Sequence, residues 1–259
     1  MAVLYVYAIT RDAVTPQCEA PCEAIDQSQH FAALPAEGIC AVYTAVSEGE
    51  FSQEVIDRRA SDLEWLGAVG YRHQNVIVEL MKSTAVVPLR AFTMFSSEST
   101  LREYLVQNRD VLAKLLERLD GKHEWTLRVE FDPRRWSEAL TGRVESLRAL
   151  SAEIESANAG KAFLLRKKLD EERKRASREA EQQVVADIER EVIGKLACDT
   201  LSESRLERDG AFPQINVLID RDEESRLQEL HASLNDRYAE DGVTLAMTGP
   251  WPPYTFAHV

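Results

Sequence analysis

Long apolar runs, cysteines and glycines are all scarce in this chain. No stretch of its 259 residues approaches the ~18 consecutive apolar residues that a membrane-spanning helix needs. The opening MAVLYVYAIT lacks the basic n-region of a signal peptide, so the expected location is the cytoplasm. Four cysteines, Cys18, Cys22, Cys40 and Cys198, are too few to staple a chain of this length, and a cytoplasmic setting keeps them reduced. Cys18 and Cys22 form CEAPC, a spacing found in zinc ligand pairs, but a closed site needs four ligands. Only Cys40 with His30 or His73 is available to complete it, and the favoured reading is a loop that happens to carry two thiols. Eleven glycines leave few loops able to bring backbone amides against a phosphate. GxGxxG, the P-loop pattern, GxSxG and HExxH are all missing, which removes the sequence support for dinucleotide, nucleotide, hydrolase-elbow and helix-borne zinc chemistry. No catalytic group, cofactor or metal is therefore expected.

Positive charge is also in the minority. Lys and Arg number 31 against 44 Asp and Glu, a formal charge of −13. Such a balance argues against sequence-independent nucleic-acid binding, because counterion release on phosphate contact needs a basic face. With 44% hydrophobic residues the chain has enough apolar matter for a real core, and its length accommodates one large domain or two small ones. Two are preferred.

Residues 3–9 (VLYVYAI) and 39–46 (ICAVYTAV) read as buried strands. Residues 12–37 read as loop with a helical turn near 24–31, because Pro16, Pro21 and Pro35 break any period. Val55, Ile56, Leu63, Leu66 and Val69 return to one helix face until Gly70. Residues 73–81 fit a helix or a strand. Residues 84–95 (TAVVPLRAFTMF) are β-rich, and Pro88 within them implies an edge or a bulge. Thr100 with Glu103 fits a capping box ahead of Leu101, Leu105, Leu112, Leu116 and Leu119 on one stripe. Residues 123–131 alternate Trp125, Leu127, Val129 and Phe131 inward, the period of a half-buried strand. The Asp120-Gly121 turn before that strand divides an N-terminal domain, 1–120, from a C-terminal domain, 121–259.

Residues 136–201 contain no proline and read as mostly helical with a break at Asn158-Ala159-Gly160. Asp170 with Lys174 and Glu171 with Arg175 are acid-before-base pairs at i,i+4, which marks a solvated face. The interleaved acids disfavour nucleic acid there, and a coiled-coil hairpin and self-association through this long helix stay open. Strand (215–219), helix (223–238) and strand (243–247) follow. Alternating strands and helices with one strand missing or supplied elsewhere best match a ferredoxin-like sandwich.

Three features invite a functional reading. His73 is the one histidine retained as a candidate base, with Glu79 as the residue that would pair with it, although a hydrogen-bonded structural role is favoured. Arg90, flanked by apolar residues, is expected in a structural ion pair or at a partner. The tail Gly249-Pro250-Trp251-Pro252-Pro253-Tyr254-Thr255-Phe256 is locked by its prolines into an extended course that presents large aromatic faces. Sealing a groove on its own chain is favoured over forming part of a partner surface.

LYVYAI, His73 before an apolar run, VVPLRAFTMF around Arg90, GKHEWTLRVEF with Trp125, AFLLRKKLDEE, INVLID and above all LAMTGPWPPYTF stand in the order seen in the gas vesicle protein F/L family, which the chain resembles over nearly its whole length. The resemblance implies an α+β protein of two domains, the second a modified ferredoxin-like fold with a long helical insertion. It also implies a non-enzymatic accessory role in gas vesicle formation. The implied partners are the small hydrophobic shell protein and other accessory proteins, met during nucleation or assembly. Phe92 stands where the family tends to have glycine, so the local turn is expected to differ, and CEAPC has no family motif behind it. One mechanism beside this is strand addition of a shell subunit at an open sheet edge, with the Pro88 strand and the sheet containing Trp125 as candidate edges. The alternative is a small-ligand-sensing regulatory protein with a ferredoxin-like domain. A third is an enzyme using His73 and Arg90.

Overall fold

The computed structural model describes residues 2–16, 23–26, 29–203 and 212–258; Cys18 and Cys22 lie outside them. The chain divides into two compact units, 1–124 with 250–259, and 125–249.

The first unit is built on β1 (Ala2–Thr10), whose residues 4–10 are buried on both faces, as its unbroken apolar run requires. It pairs antiparallel with β3 (Ile39–Ser47), from Ala2 opposite Ser47 to Thr10 opposite Cys40. The register slips between Val6 and Ala8, so Tyr7 is the extra residue of a bulge. Its hydroxyl donates to Thr44 Oγ1 (3.1 Å) and accepts from the Ile25 amide (2.9 Å). β2 (Phe31–Ala36) pairs with β3, a strand inside the region read as loop. Pro35 hides the strand in sequence and suits the edge place it occupies. The two-residue turn Glu37-Gly38 has both residues left-handed, φ 50° and 80°, the geometry that matches strand twist in a tight hairpin.

α1 (Glu48–Phe51) and α2 (Gln53–Arg59) lead to α3 (Leu63–Leu80), which runs through Gly70 instead of stopping there. Residues 73–80 belong to this helix because Val69, His73, Val76, Ile77 and Leu80 continue one buried face. β4 (Val86–Pro88) and β5 (Met94–Phe95) each pair with β1, which puts the Pro88 strand at the end of the sheet order β2-β3-β1-β4. α4 (Glu98–Gln107) starts one turn before the expected cap. Ser97 Oγ accepts from the Thr100 amide and Thr100 Oγ1 from the Ser97 amide, both at 3.2 Å. Asn108 separates α4 from α5 (Arg109–Leu119), and all five leucines of the expected stripe are buried.

In the second unit β6 (Lys122–Phe131) leads to α6 (Pro133–Arg143), α7 (Glu145–Ser156) and α8 (Ala159–Lys195). Asn158 caps α8, its Oδ1 accepting from the Lys161 amide at 3.0 Å, at the expected break. The helix stops at Lys195. β7 (Cys198–Glu203) follows and pairs with β8 (Gln214–Asp220), so the missing strand lies where helix was expected to continue. α9 (Glu224–Tyr238) and β9 (Val243–Trp251) complete the order. The strands lie β7-β8-β6-β9. The core joins Trp125, Leu127 and Val129 of β6 to Ile188 and Val192 of α8 and to Leu227 and Leu234 of α9.

Gly242 makes the turn into β9 at φ 75°, and a Cβ there would sit 2.5 Å from Arg135 Cβ. Gly38 is also left-handed but has open space where a Cβ would stand. Gly38→Ala should therefore cost about 1 kcal/mol of backbone strain alone, whereas Gly242→Ala adds a backbone-proximal clash and should cost roughly 3 kcal/mol. Thermal unfolding of the two variants reads this difference directly.

Candidate partner-binding site

The Arg90 loop is organised from beneath by one buried tyrosine. Tyr5 Oη donates to His73 Nδ1 (3.0 Å) and accepts from the Phe92 amide (3.2 Å), while His73 Nε2–H donates to the Leu89 carbonyl (2.9 Å). Strand β1, helix α3 and both ends of the 89–92 turn thus share one hydrogen-bonded chain. Phe92 takes φ 65°, the left-handed conformation that favours glycine. The turn keeps a glycine-like backbone although a phenylalanine occupies it. What changes is the side chain: the Phe92 ring packs on Trp65 (5.3 Å) and Tyr5 (6.3 Å), and Trp65 carries the Arg59 guanidinium at 4.4 Å.

His73 is buried and spends both ring nitrogens on this chain. Burial lowers its pKa, opposed in part by the Leu89 bond. Glu79 pairs with Lys82. Arg90 is exposed and its side chain makes no hydrogen bond or ion pair among the described residues, so the expected structural ion pair is not there. Its carbonyl instead accepts from the Thr93 hydroxyl (2.6 Å) and amide (3.2 Å). Desolvation is what made an ion pair attractive, and a charge held at the tip of a turn avoids that cost.

The tail docks in the same unit. Pro252, Pro253 and Phe256 are buried, and Tyr254 packs on the core that contains Tyr5 and Tyr7. Burial drives the Tyr254 hydroxyl pKa upward, as it does that of Tyr5. Thr255 is the anchor, its amide (2.9 Å) and hydroxyl (2.6 Å) both donating to the carboxylate of Glu124. Arg118 lies over Phe256 at 5.8 Å. Gly249 (φ 140°) and Pro250 lie in the last residues of β9, which ends at Trp251, 43% exposed. Trp125 sits in the core of the second unit with its Nε1–H toward Glu224 Oε1 (3.4 Å).

Trp125 lies on β6, an interior strand, so it marks no open edge. The outer strand β9 is closed at Leu245: its amide donates to Asn235 Oδ1 (2.8 Å), and its carbonyl accepts from Asn235 Nδ2 (3.1 Å) and from His231 Nε2 (2.8 Å). A side-chain amide that copies both bonds of a neighbouring strand is a direct way to blunt an edge. On β2 the Pro35 carbonyl accepts from Arg102 (2.9 Å). Tyr5, Glu124 and Asn235 escaped the sequence reading because each acts through a partner 68, 131 or 10 positions away.

Among the described residues, the outer face of α3 is one uncovered apolar surface. Leu63 is 80% and Tyr71 61% exposed, with Val78 further along the same side. Gly67 lies between the first two, with open space where its Cβ would stand. Because the folded state resists protonating His73, the unfolded state binds more protons as pH falls below about 6.5. Stability should thus be full above that pH and decline below it. His73→Gln, which can still donate to Leu89, should show a shallower decline between pH ~7.5 and ~5.5, measured as the change in denaturant midpoint.

The family model described as gas vesicle synthesis protein GvpL/GvpF matches residues 3–258. Gas vesicle protein L of a Streptomyces strain is 30% identical over 267 aligned positions, which cover 98% of this chain and 92% of that protein. Gas vesicle protein L2 of Halobacterium salinarum is 32% identical over 208 positions, covering 76% and 74%. In fold, the chain is similar to the crystal structure of gas vesicle protein GvpF from Anabaena, with a TM-score of 0.77 at 15% identity over 100% of this chain and 99% of that one. The GvpF structure from Microcystis aeruginosa gives 0.69 at 14% identity over 100% of both chains. With its α+β architecture and a match that runs almost from end to end, the chain belongs to the gas vesicle GvpL/GvpF family, whose part is in gas vesicle formation.

Proposed function

We propose that this chain is a non-enzymatic assembly factor. It holds the hydrophobic shell protein and other accessory proteins during nucleation or assembly of the vesicle, in the cytoplasm and at the growing vesicle. The observation that carries the reading is the uncovered apolar face of α3, where Leu63 and Tyr71 flank Gly67. A flat apolar strip with a glycine between two large side chains lets an incoming apolar segment approach the helix closely. The loop with Arg90 is held against another side of this helix through the Phe92–Trp65 contact.

The net charge of −13 fits the same role, because it keeps a complex with a sticky subunit dispersed. Strand addition is not the favoured mode. The β9 edge is occupied at Leu245 and the Trp125 strand is interior; β4 and β7 remain outer strands, and docking through side-chain faces is placed ahead of them because the α3 strip is apolar and exposed. Two finer assignments belong to this proposal. The second unit is a modified ferredoxin-like fold, supported by its order strand, helices, strand, strand, helix, strand with strands arranged β7-β8-β6-β9. The tail from Gly249 to Tyr254 serves partners indirectly, by shaping the first unit.

Leu63→Asp with Tyr71→Asp should leave thermal unfolding within ~0.5 kcal/mol of the parent, because both side chains are exposed. Capture of co-expressed shell protein should fall about tenfold. Undiminished capture by a correctly folded double variant would remove α3 from the account.

A further inference from the structure

The 37-residue helix α8 carries a charge division of which its own unit uses only a part, Lys161 pairing with Glu153 and Glu191 with Arg237. Its first half, residues 161–178, holds eight Lys and Arg against three Asp and Glu; its second half, 179–195, holds two against five. In a chain whose total is −13, the first half is a local basic lobe beside an acidic one. The buried residues do not explain this division. Ala162 and Leu169 face inward in the first half and Val185, Ile188 and Val192 in the second.

A line of side chains on the outer surface runs the length of the helix. Leu164 is 67% and Ile193 52% exposed. They are 29 positions apart, about eight turns and ~43 Å, and so lie on the same side. Between them the outward positions return at steps of three and four, and all but the half-buried Glu189 are exposed. The midpoint falls between Arg178 and Glu179. Arg178 is exposed and has no carboxylate partner among the described residues.

We propose that this face pairs with a second copy of the same chain, α8 against α8 in antiparallel fashion, about a two-fold axis between residues 178 and 179. Each residue then faces the one whose number makes the sum 357. Leu164 meets Ile193 at both ends, so each exposed apolar side chain covers another. Lys168 meets Glu189, whose carboxylate also accepts from Thr200 Oγ1 at 3.0 Å. Arg178 meets Glu179 twice across the axis. The basic half of each helix lies on the acidic half of the other, and the two helix dipoles oppose. The interface is isologous, as closed pairs of identical chains require. A mostly polar seam with apolar ends makes the pair weak and salt-sensitive, an exchangeable contact suited to an assembly intermediate. The inference stands apart from shell binding through α3, and either can fail alone.

Sedimentation velocity of the full chain over a concentration series tests it. At low salt the weight-average mass should rise from monomer toward dimer, and added salt should reverse the rise. Arg178→Glu sets carboxylates against each other across the axis and should weaken the pair roughly tenfold. Combining it with Glu179→Arg exchanges the two charges and should restore the affinity to within about threefold of the parent. Both changes are on an exposed helix surface, and thermal unfolding checks that they leave the fold alone. A chain that stays monomeric at every soluble concentration overturns the proposal. So does a dimer indifferent to Arg178→Glu, or one that the charge exchange fails to restore.

Discussion

The hydroxyl of Tyr5 is the constraint from which the first unit is arranged. A buried phenol must satisfy its donor and its acceptor, and here it gives its proton to His73 and takes one from the Phe92 amide. Those two bonds fix α3 against the sheet and hold the 89–92 turn at a left-handed residue that carries a full aromatic side chain. Strain of about 1 kcal/mol at such a residue persists only where surrounding contacts over-determine it. The Phe92 ring, seated between Tyr5 and Trp65, supplies those contacts. The exposed position of Arg90 follows from the turn.

The segments with the most specific sequence are largely buried. Pro252, Pro253 and Phe256 go into the first unit, and Thr255 ties the tail to Glu124. Rigid aromatic stretches of this kind gain more from docking on their own chain than from waiting for a partner, because large rings dominate apolar burial. Their contribution to any partner is the shape they impose. In the proposed reading the contact itself falls to residues with no motif at all, Leu63 and Tyr71 on the outer face of α3 and the two ends of the α8 line.

Periodicity made much of the fold legible. The leucine stripe of α4 and α5, the alternation of β6, the Asn158 break and the terminal strand-helix-strand order all appear where the pattern placed them. Three elements were hidden for physical reasons. β2 contains Pro35, which argues against a strand unless the strand lies at an edge. β7 follows a long helix with no proline between them, and Gly194 in the last turn of that helix is a single glycine of the kind a helix tolerates. Gly70 reads as a stop, but a helix tolerates one glycine when the buried face continues on either side. The site was less legible than the fold. His73 and Arg90 stand out by residue type, but their roles depend on Tyr5, Leu89 and Phe92, and nothing local in the sequence links those positions.

Hydroxyl-radical footprinting of the chain with and without shell protein tests the central claim most directly, since it reads the solvent access of individual side chains. The account expects oxidation of Leu63, Tyr71 and Val78 to fall on complex formation while buried Val76 and Ile77 stay unreactive. Unchanged oxidation along α3 in a complex that demonstrably forms would contradict it.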